Sequence, residues 1–107
     1  MSISAHVLDA TSGRPATGVP VELAGRQGAG WAVLANATTD ADGRTPGFAA
    51  PQLGPGVYRL TFEIEGHLAG ETFYPQVIVV FRVTDPAGHY HVPVLLSPFS
   101  YTTYRGS

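Results

Sequence analysis

Glycine and proline interrupt this chain about every ten residues, and that punctuation constrains the fold more than any other feature. There are 13 glycines and 9 prolines in 107 residues. The segments between them are rich in Val, Thr, Tyr and Phe, side chains that suit a half-buried pleated surface. Residues 3–9 alternate in character, and residues 19–24 follow the turn Ser12-Gly13-Arg14-Pro15. Residues 31–37 make a third segment, and Asp40-Ala41-Asp42-Gly43 is a turn signal. Residues 57–63 alternate cleanly, so Val57, Arg59, Thr61 and Glu63 oppose Tyr58, Leu60, Phe62 and Ile64. Residues 65–71 are the only place for a short helix, and Gly66 and Gly70 weaken it. Residues 76–84 read as a strand buried on both faces or nearly so. Residues 89–96 and 100–105 complete the set after the turns at Asp85-Pro86-Ala87-Gly88 and Ser97-Pro98. Seven or eight short strands separated by turns predict an all-β, two-sheet sandwich.

The length supports one domain over residues 1–107, with no linker or repeat to divide it. The net charge of −2 leaves no electrostatic footprint for nucleic acid. All six basic residues are arginine, which suits fixed bidentate anion contacts better than lysine does. Charged residues make up only 13% of the chain, so some of the surface is expected to be covered by other subunits. The absence of cysteine excludes disulfides, thiolate nucleophiles and Cys-based zinc sites. The start MSISAHVLDA has no basic region and no long apolar run, and no stretch approaches a membrane span. The expectation is a cytoplasmic protein without a membrane partner.

Four histidines and one arginine are the candidates for chemistry. His89 and His91 lie two apart on a predicted strand, so their side chains share a face. His6 shares a face with Ser4 and Leu8, and His67 sits among glycines where exposure is expected. His-Tyr-His reads either as an exposed edge strand or as a functional pair. His6, His89 and His91 together also form an acceptable zinc ligand set. Arg44 follows the Asp-Gly turn, where a solvated surface charge is the ordinary reading. Asp40 and Asp42 resemble the start of a calcium loop, but the glutamate and flanking helices that complete one are missing, so they read as turn formers. Glu63 and Glu65 share a face without further marks of a catalytic pair, and Trp31 reads as core or interface packing. There is no phosphate-binding glycine loop and no nucleophile elbow.

Four stretches taken together resemble one family. They are AHVLD at residues 5–9, DGR at 42–44, ETFYPQV at 71–77 and HYHVPVLLSPFSYTTYRGS at 89–107. The chain is similar over its whole length to the transthyretin-related 5-hydroxyisourate hydrolases. The Tyr-Arg-Gly-Ser ending separates these enzymes from transthyretin itself, a hormone carrier of the same fold. The resemblance implies eight strands, one short helix, and a homotetramer built as a dimer of dimers around a central channel. It implies a site in that channel formed by His6, Arg44, His91 and the segment Tyr104, Arg105, Gly106 and Ser107, with His89 in second rank.

The implied reaction is hydrolytic ring opening of 5-hydroxyisourate to 2-oxo-4-hydroxy-4-carboxy-5-ureidoimidazoline, with no cofactor and no metal. His6 and His91 would activate water and move protons, and Arg44 would polarise the carbonyl. Arg105 and Ser107, with its carboxylate, would orient the substrate or support the histidines. Two alternatives stand beside this reading: a transthyretin-like carrier of small ligands without catalysis, and a zinc protein using the histidines.

Overall fold

The computed structural model describes residues 2–48, 54–68 and 70–107 and is built from eight strands. They are β1 (Ser2–Asp9), β2 (Arg14–Pro15), β3 (Pro20–Gln27), β4 (Gly30–Thr38), β5 (Gly56–Glu63), β6 (Gln76–Val83), β7 (His89–Leu96) and β8 (Tyr101–Thr103). Two four-stranded sheets form, in the orders β2-β1-β7-β8 and β4-β3-β5-β6. Their inner faces meet in one core. Ile3, Ala5 and Val7 of β1 and Val92 and Val94 of β7 face Val21 and Leu23 of β3, Leu60 and Phe62 of β5 and Val77 of β6. The two-residue period of each strand sends the intervening side chains outward, which leaves Ser4, His6 and Leu8 together on the outer face of β1.

The pairing that matters most for the site is β1 with β7, the only parallel pair among the described strands. Its register sets Ser2 beside His89, Ser4 beside His91 and His6 beside Pro93. Partners in register project to the same side of a sheet, so the two histidines of β7 stand next to two serines of β1. The other edge of β1 is shared. β2 takes its C-terminal end, and the segment running on from the Asp40 turn takes the rest. The Val7 amide donates to Gly43 O at 2.7 Å, Thr45 N to Ala5 O at 3.0 Å and Phe48 N to Ile3 O at 3.0 Å.

That docking is close enough to demand glycine at position 43. Its φ is +74°, and a Cβ there would lie 2.4 Å from the Val7 carbonyl oxygen. Beside it, the buried Thr45 hydroxyl accepts the Ala5 amide at 2.9 Å. Asp40 is a turn former, as its sequence context predicts: its carboxylate accepts the amides of Asp42 at 2.9 Å and Arg44 at 3.0 Å.

Several expectations change. The Ser12–Pro15 turn contains β2, a two-residue strand that turn signals conceal. No helix occurs among the described residues. In the expected helical stretch, Gly66 and Gly70 both adopt φ +83°, a left-handed conformation that a helix cannot continue. β5 ends at Glu63, so Glu65 lies in a turn beyond it. β6 is an edge strand buried on one face only, with Ile78 (47%) and Val80 (54%) exposed on the other. Trp31 stays outside the core, half-buried under the Arg59 guanidinium at 4.7 Å. His67 is exposed, as expected. No helix is long and apolar enough to cross a membrane among the described residues.

Candidate active site

Three pieces of chain converge on the outer face of β1 and β7. β1 supplies Ser4 and His6, β7 supplies His89 and His91, and the docked segment supplies Arg44, bridged in antiparallel fashion to His6. The C-terminal tail closes the fourth side. After β8, Gly106 bridges back to His91, with its amide donating to His91 O at 2.8 Å. The result is an open cleft of about 350 Å³ lined by His6, Arg44, His89, His91, Tyr104, Gly106 and Ser107. These are all of the site residues expected from the sequence except Arg105.

Arg105 points elsewhere. Its guanidinium lies 4.4 Å over the Tyr90 ring, and its Nη2 donates to His89 O at 3.3 Å. Tyr90 is itself fixed, because its phenolic oxygen accepts the Asp85 amide at 2.9 Å. Within one chain, Arg105 therefore ties the tail to β7 and does not line the cleft.

The tail packs tightly on His91. A Cβ on Gly106 would come within 2.7 Å of His91 Cδ2 and 3.1 Å of Pro93 Cγ. Only a residue without a side chain fits against the imidazole at this distance.

The hydrogen bonds distinguish the three histidines. The His6 Nε2 lies 2.9 Å from the Asp42 carbonyl oxygen. A carbonyl only accepts, so Nε2 carries the proton and the lone pair of neutral His6 is on Nδ1. The Nδ1 of His91 is 2.8 Å from the Ser4 hydroxyl, and the Nδ1 of His89 is bonded to the Ser2 hydroxyl. The rings of His89 and His91 stack with centroids 6.3 Å apart, and His6 and His91 stand 6.4 Å apart.

The pKa of His91 is pushed below the ordinary 6.5, first by burial and then by the positive charge of Arg44 and of the other two histidines. His91 is therefore uncharged at neutral pH. Arg44 has no carboxylate within ion-pair distance among the described residues, so its guanidinium is available to an incoming oxyanion. No group of three His, Asp or Glu side chains is arranged to hold a metal ion among the described residues, which weighs against the zinc reading of the three histidines.

Ser4 and Pro93 also line the cleft and Ser2 holds His89, and nothing in the local sequence marks any of the three. Ser4 was placed on the face of His6, but its neighbour His91 lies 87 residues away, and no local pattern signals that pairing.

A family model described as the HIUase/Transthyretin family matches residues 3–106. The chain is 45% identical over 111 residues to a 5-hydroxyisourate hydrolase of Mus musculus, covering 98% of this chain and 94% of the mouse protein. A solved structure of Klebsiella pneumoniae 5-hydroxyisourate hydrolase matches with a TM-score of 0.86 at 35% identity, covering 100% of both chains. Sea bream transthyretin in complex with thyroxine matches with a TM-score of 0.88 at 33% identity, covering 97% of this chain and 93% of that one. Backbone similarity alone therefore does not separate a hydrolase from a ligand carrier.

Proposed function

The chain belongs to the HIUase/Transthyretin family, and we propose that it hydrolyses 5-hydroxyisourate. The observation that carries this reading is one open cleft in which His91, Arg44 and His6 stand together under the docked C-terminal tail. A carrier needs shape and apolar surface. This cleft adds a basic nitrogen beside a guanidinium, the pair that water activation and oxyanion stabilisation require.

The chemistry follows from the atoms available. Water adds to an amide-like ring carbonyl, the carbonyl π electrons move to oxygen, and the C–N bond breaks as the carbonyl re-forms. The departing nitrogen takes a proton. His91 is the better general base, because its Nε2 has no protein hydrogen-bond partner among the described residues and its low pKa keeps the lone pair free at neutral pH. The proton it takes from water is the one the departing nitrogen requires. Arg44 stabilises the developing oxyanion and grips the oxygen-rich ring. His6 has its Nε2–H engaged by the Asp42 carbonyl, so it faces the substrate through Nδ1 and holds the Arg44 segment against β1. Tyr104, Gly106 and Ser107 form the wall, with His89 beside them, and Arg105 keeps that wall attached to β7.

The same reading includes assembly into a homotetramer. Its support is the low charge content and the apolar surface left on one chain. That surface includes Ile78 and Val80 on β6 and the aromatic group of Phe73, Tyr74 and Tyr101. Sedimentation equilibrium at micromolar concentration tests it, and a monomer would end the tetramer proposal.

The deciding experiment follows the ultraviolet absorbance of freshly generated 5-hydroxyisourate with and without protein, with EDTA throughout. Decay faster than the spontaneous background, lost in His91→Ala, is expected. Decay at the background rate returns the carrier reading. Acceleration that EDTA removes returns the zinc reading.

A further inference from the structure

The two cleft histidines with an Nδ1 partner on β1 are both held by serine, and neither by a carboxylate. The arrangement comes from the parallel register, which sets Ser2 against His89 and Ser4 against His91. We propose that Ser4 is a positioning residue of the hydrolytic site: its Oγ accepts the Nδ1–H of His91 and so fixes the tautomer whose Nε2 lone pair is presented to the cleft. This inference rests on the hydrolase reading above.

A hydroxyl can donate or accept, so the direction of the 2.8 Å bond follows from what the site must do. If Ser4 donated to Nδ1, the ring proton would sit on Nε2 and the cleft would hold no base at His91. Protonation of the ring would then also break the bond. With Ser4 accepting, Nδ1–H persists whether Nε2 is free or protonated, and the ring keeps its place through the proton transfer. His6 offers a contrast. A carbonyl fixes its proton on Nε2, leaving Nδ1 as its only basic atom.

The choice of serine also has an electrostatic consequence. A carboxylate at this position would stabilise the imidazolium and raise its pKa. The charged side chains that shift His91 act in the opposite sense: Arg44 from the docked segment, His6 from β1 and His89 from its own strand, with the terminal carboxylate of Ser107 in the same cleft as the opposing charge. The tail beside it contributes Gly106 and Ser107 without a side-chain charge. Ser4 orients the ring and leaves it neutral.

The test is made on the full-length protein. The wild-type rate on 5-hydroxyisourate is read first. In ¹⁵N-histidine NMR at pH 7, His91 is expected to show a protonated Nδ1 and an unprotonated Nε2. Ser4→Ala is expected to mix the two tautomers and to lower kcat about tenfold with KM little changed, as expected when only the orientation of a catalytic group is lost. Ser4→Thr restores both signals, because it keeps the hydroxyl. Ser4→Asp raises the midpoint of the acid limb of kcat/KM, as a carboxylate set against Nδ1 must if residue 4 contacts His91. A wild-type protein that does not accelerate decay overturns the hydrolase reading and the role of Ser4 with it. An active wild type with its proton on His91 Nε2, or an active Ser4→Ala with an unmixed tautomer, overturns the role of Ser4 alone.

Discussion

Replacing Gly106 by alanine adds one methyl group at the closest point of the site. The new Cβ would lie 2.7 Å from His91 Cδ2, whereas ordinary contact begins at 3.4 Å. The ring has to retreat by about 0.7 Å, or the tail has to lift by the same amount. Neither is free. The ring is held on its other side by Ser4, and the tail by the bond from Gly106 N to His91 O. A displacement approaching 1 Å at a catalytic group costs about 10²-fold in rate, or about 2.7 kcal/mol of transition-state stabilisation. The cost to folding is much smaller. Gly106 joins an exposed tail to one edge of a sheet, and opening that bridge loses one hydrogen bond worth about 1 kcal/mol. Gly106→Ala is therefore expected to lose between tenfold and a hundredfold in kcat while its Tm moves by no more than about 5 °C. Gly30→Ala is the matched control, because its Cβ would meet nothing closer than 3.9 Å and it lies in the β3–β4 hairpin. The assay is the decay of 5-hydroxyisourate set beside a thermal melt of the same preparation. Full activity in Gly106→Ala would refute the packing of the tail on His91. A large fall in Tm would show that the loss of rate came from unfolding.

Four further outcomes are expected. Because the pKa of His91 lies below 6.5, its basic form survives to lower pH than that of a free histidine, so the acid limb of kcat/KM should have its midpoint below 6.5. The same shift makes the unfolded chain bind more protons in that interval, so this group's contribution to stability is present above pH 6.5 and is lost as pH falls through its lower folded value; melts across that range check the sign. Deleting residues 105–107 removes both the bridge to His91 and the stack on Tyr90, and should bring the rate to near background with the circular dichroism of the sandwich retained. The buried Thr39 hydroxyl donates to Ala16 O at 2.7 Å and accepts the Val19 amide at 2.9 Å, so Thr39→Val should cost about 1–3 kcal/mol in urea denaturation with little change in KM.

What the sequence reveals here is mostly what a period of two reveals. The alternation in residues 57–63 and 89–96 gives β5 and β7 with nearly their final bounds, and it places His89 and His91 on one face. The tail beyond β8 does not keep that period: Tyr104, Gly106 and Ser107 line the cleft, and Arg105 does not. Apolar runs are less informative. Residues 76–84 read as buried on both faces or nearly so, yet β6 is an edge strand and the side chains of Ile78 and Val80 are exposed. Contacts between distant segments leave no local trace. The bridge of Arg44 to His6 and the pairing of Ser4 with His91 depend on which strands become neighbours, and those choices are made by the packing of the whole sandwich. The four quoted stretches brought His6, Arg44 and His91 together only through family resemblance.

The parallel pairing of β1 with β7 also sets a timetable for synthesis. β1 leaves the ribosome first, but 79 residues separate its end from the start of β7. At about 5–20 residues per second, β1 waits roughly 4–16 s for that neighbour. During that interval its buried face of Ile3, Ala5 and Val7 and one row of its backbone groups have no final partner in this sheet. A nascent chain stopped before residue 89 carries both partners of the His6–Arg44 bridge and lacks His89, His91 and the tail that complete the cleft. In such a fold the ability to act and the completion of the chain arrive together.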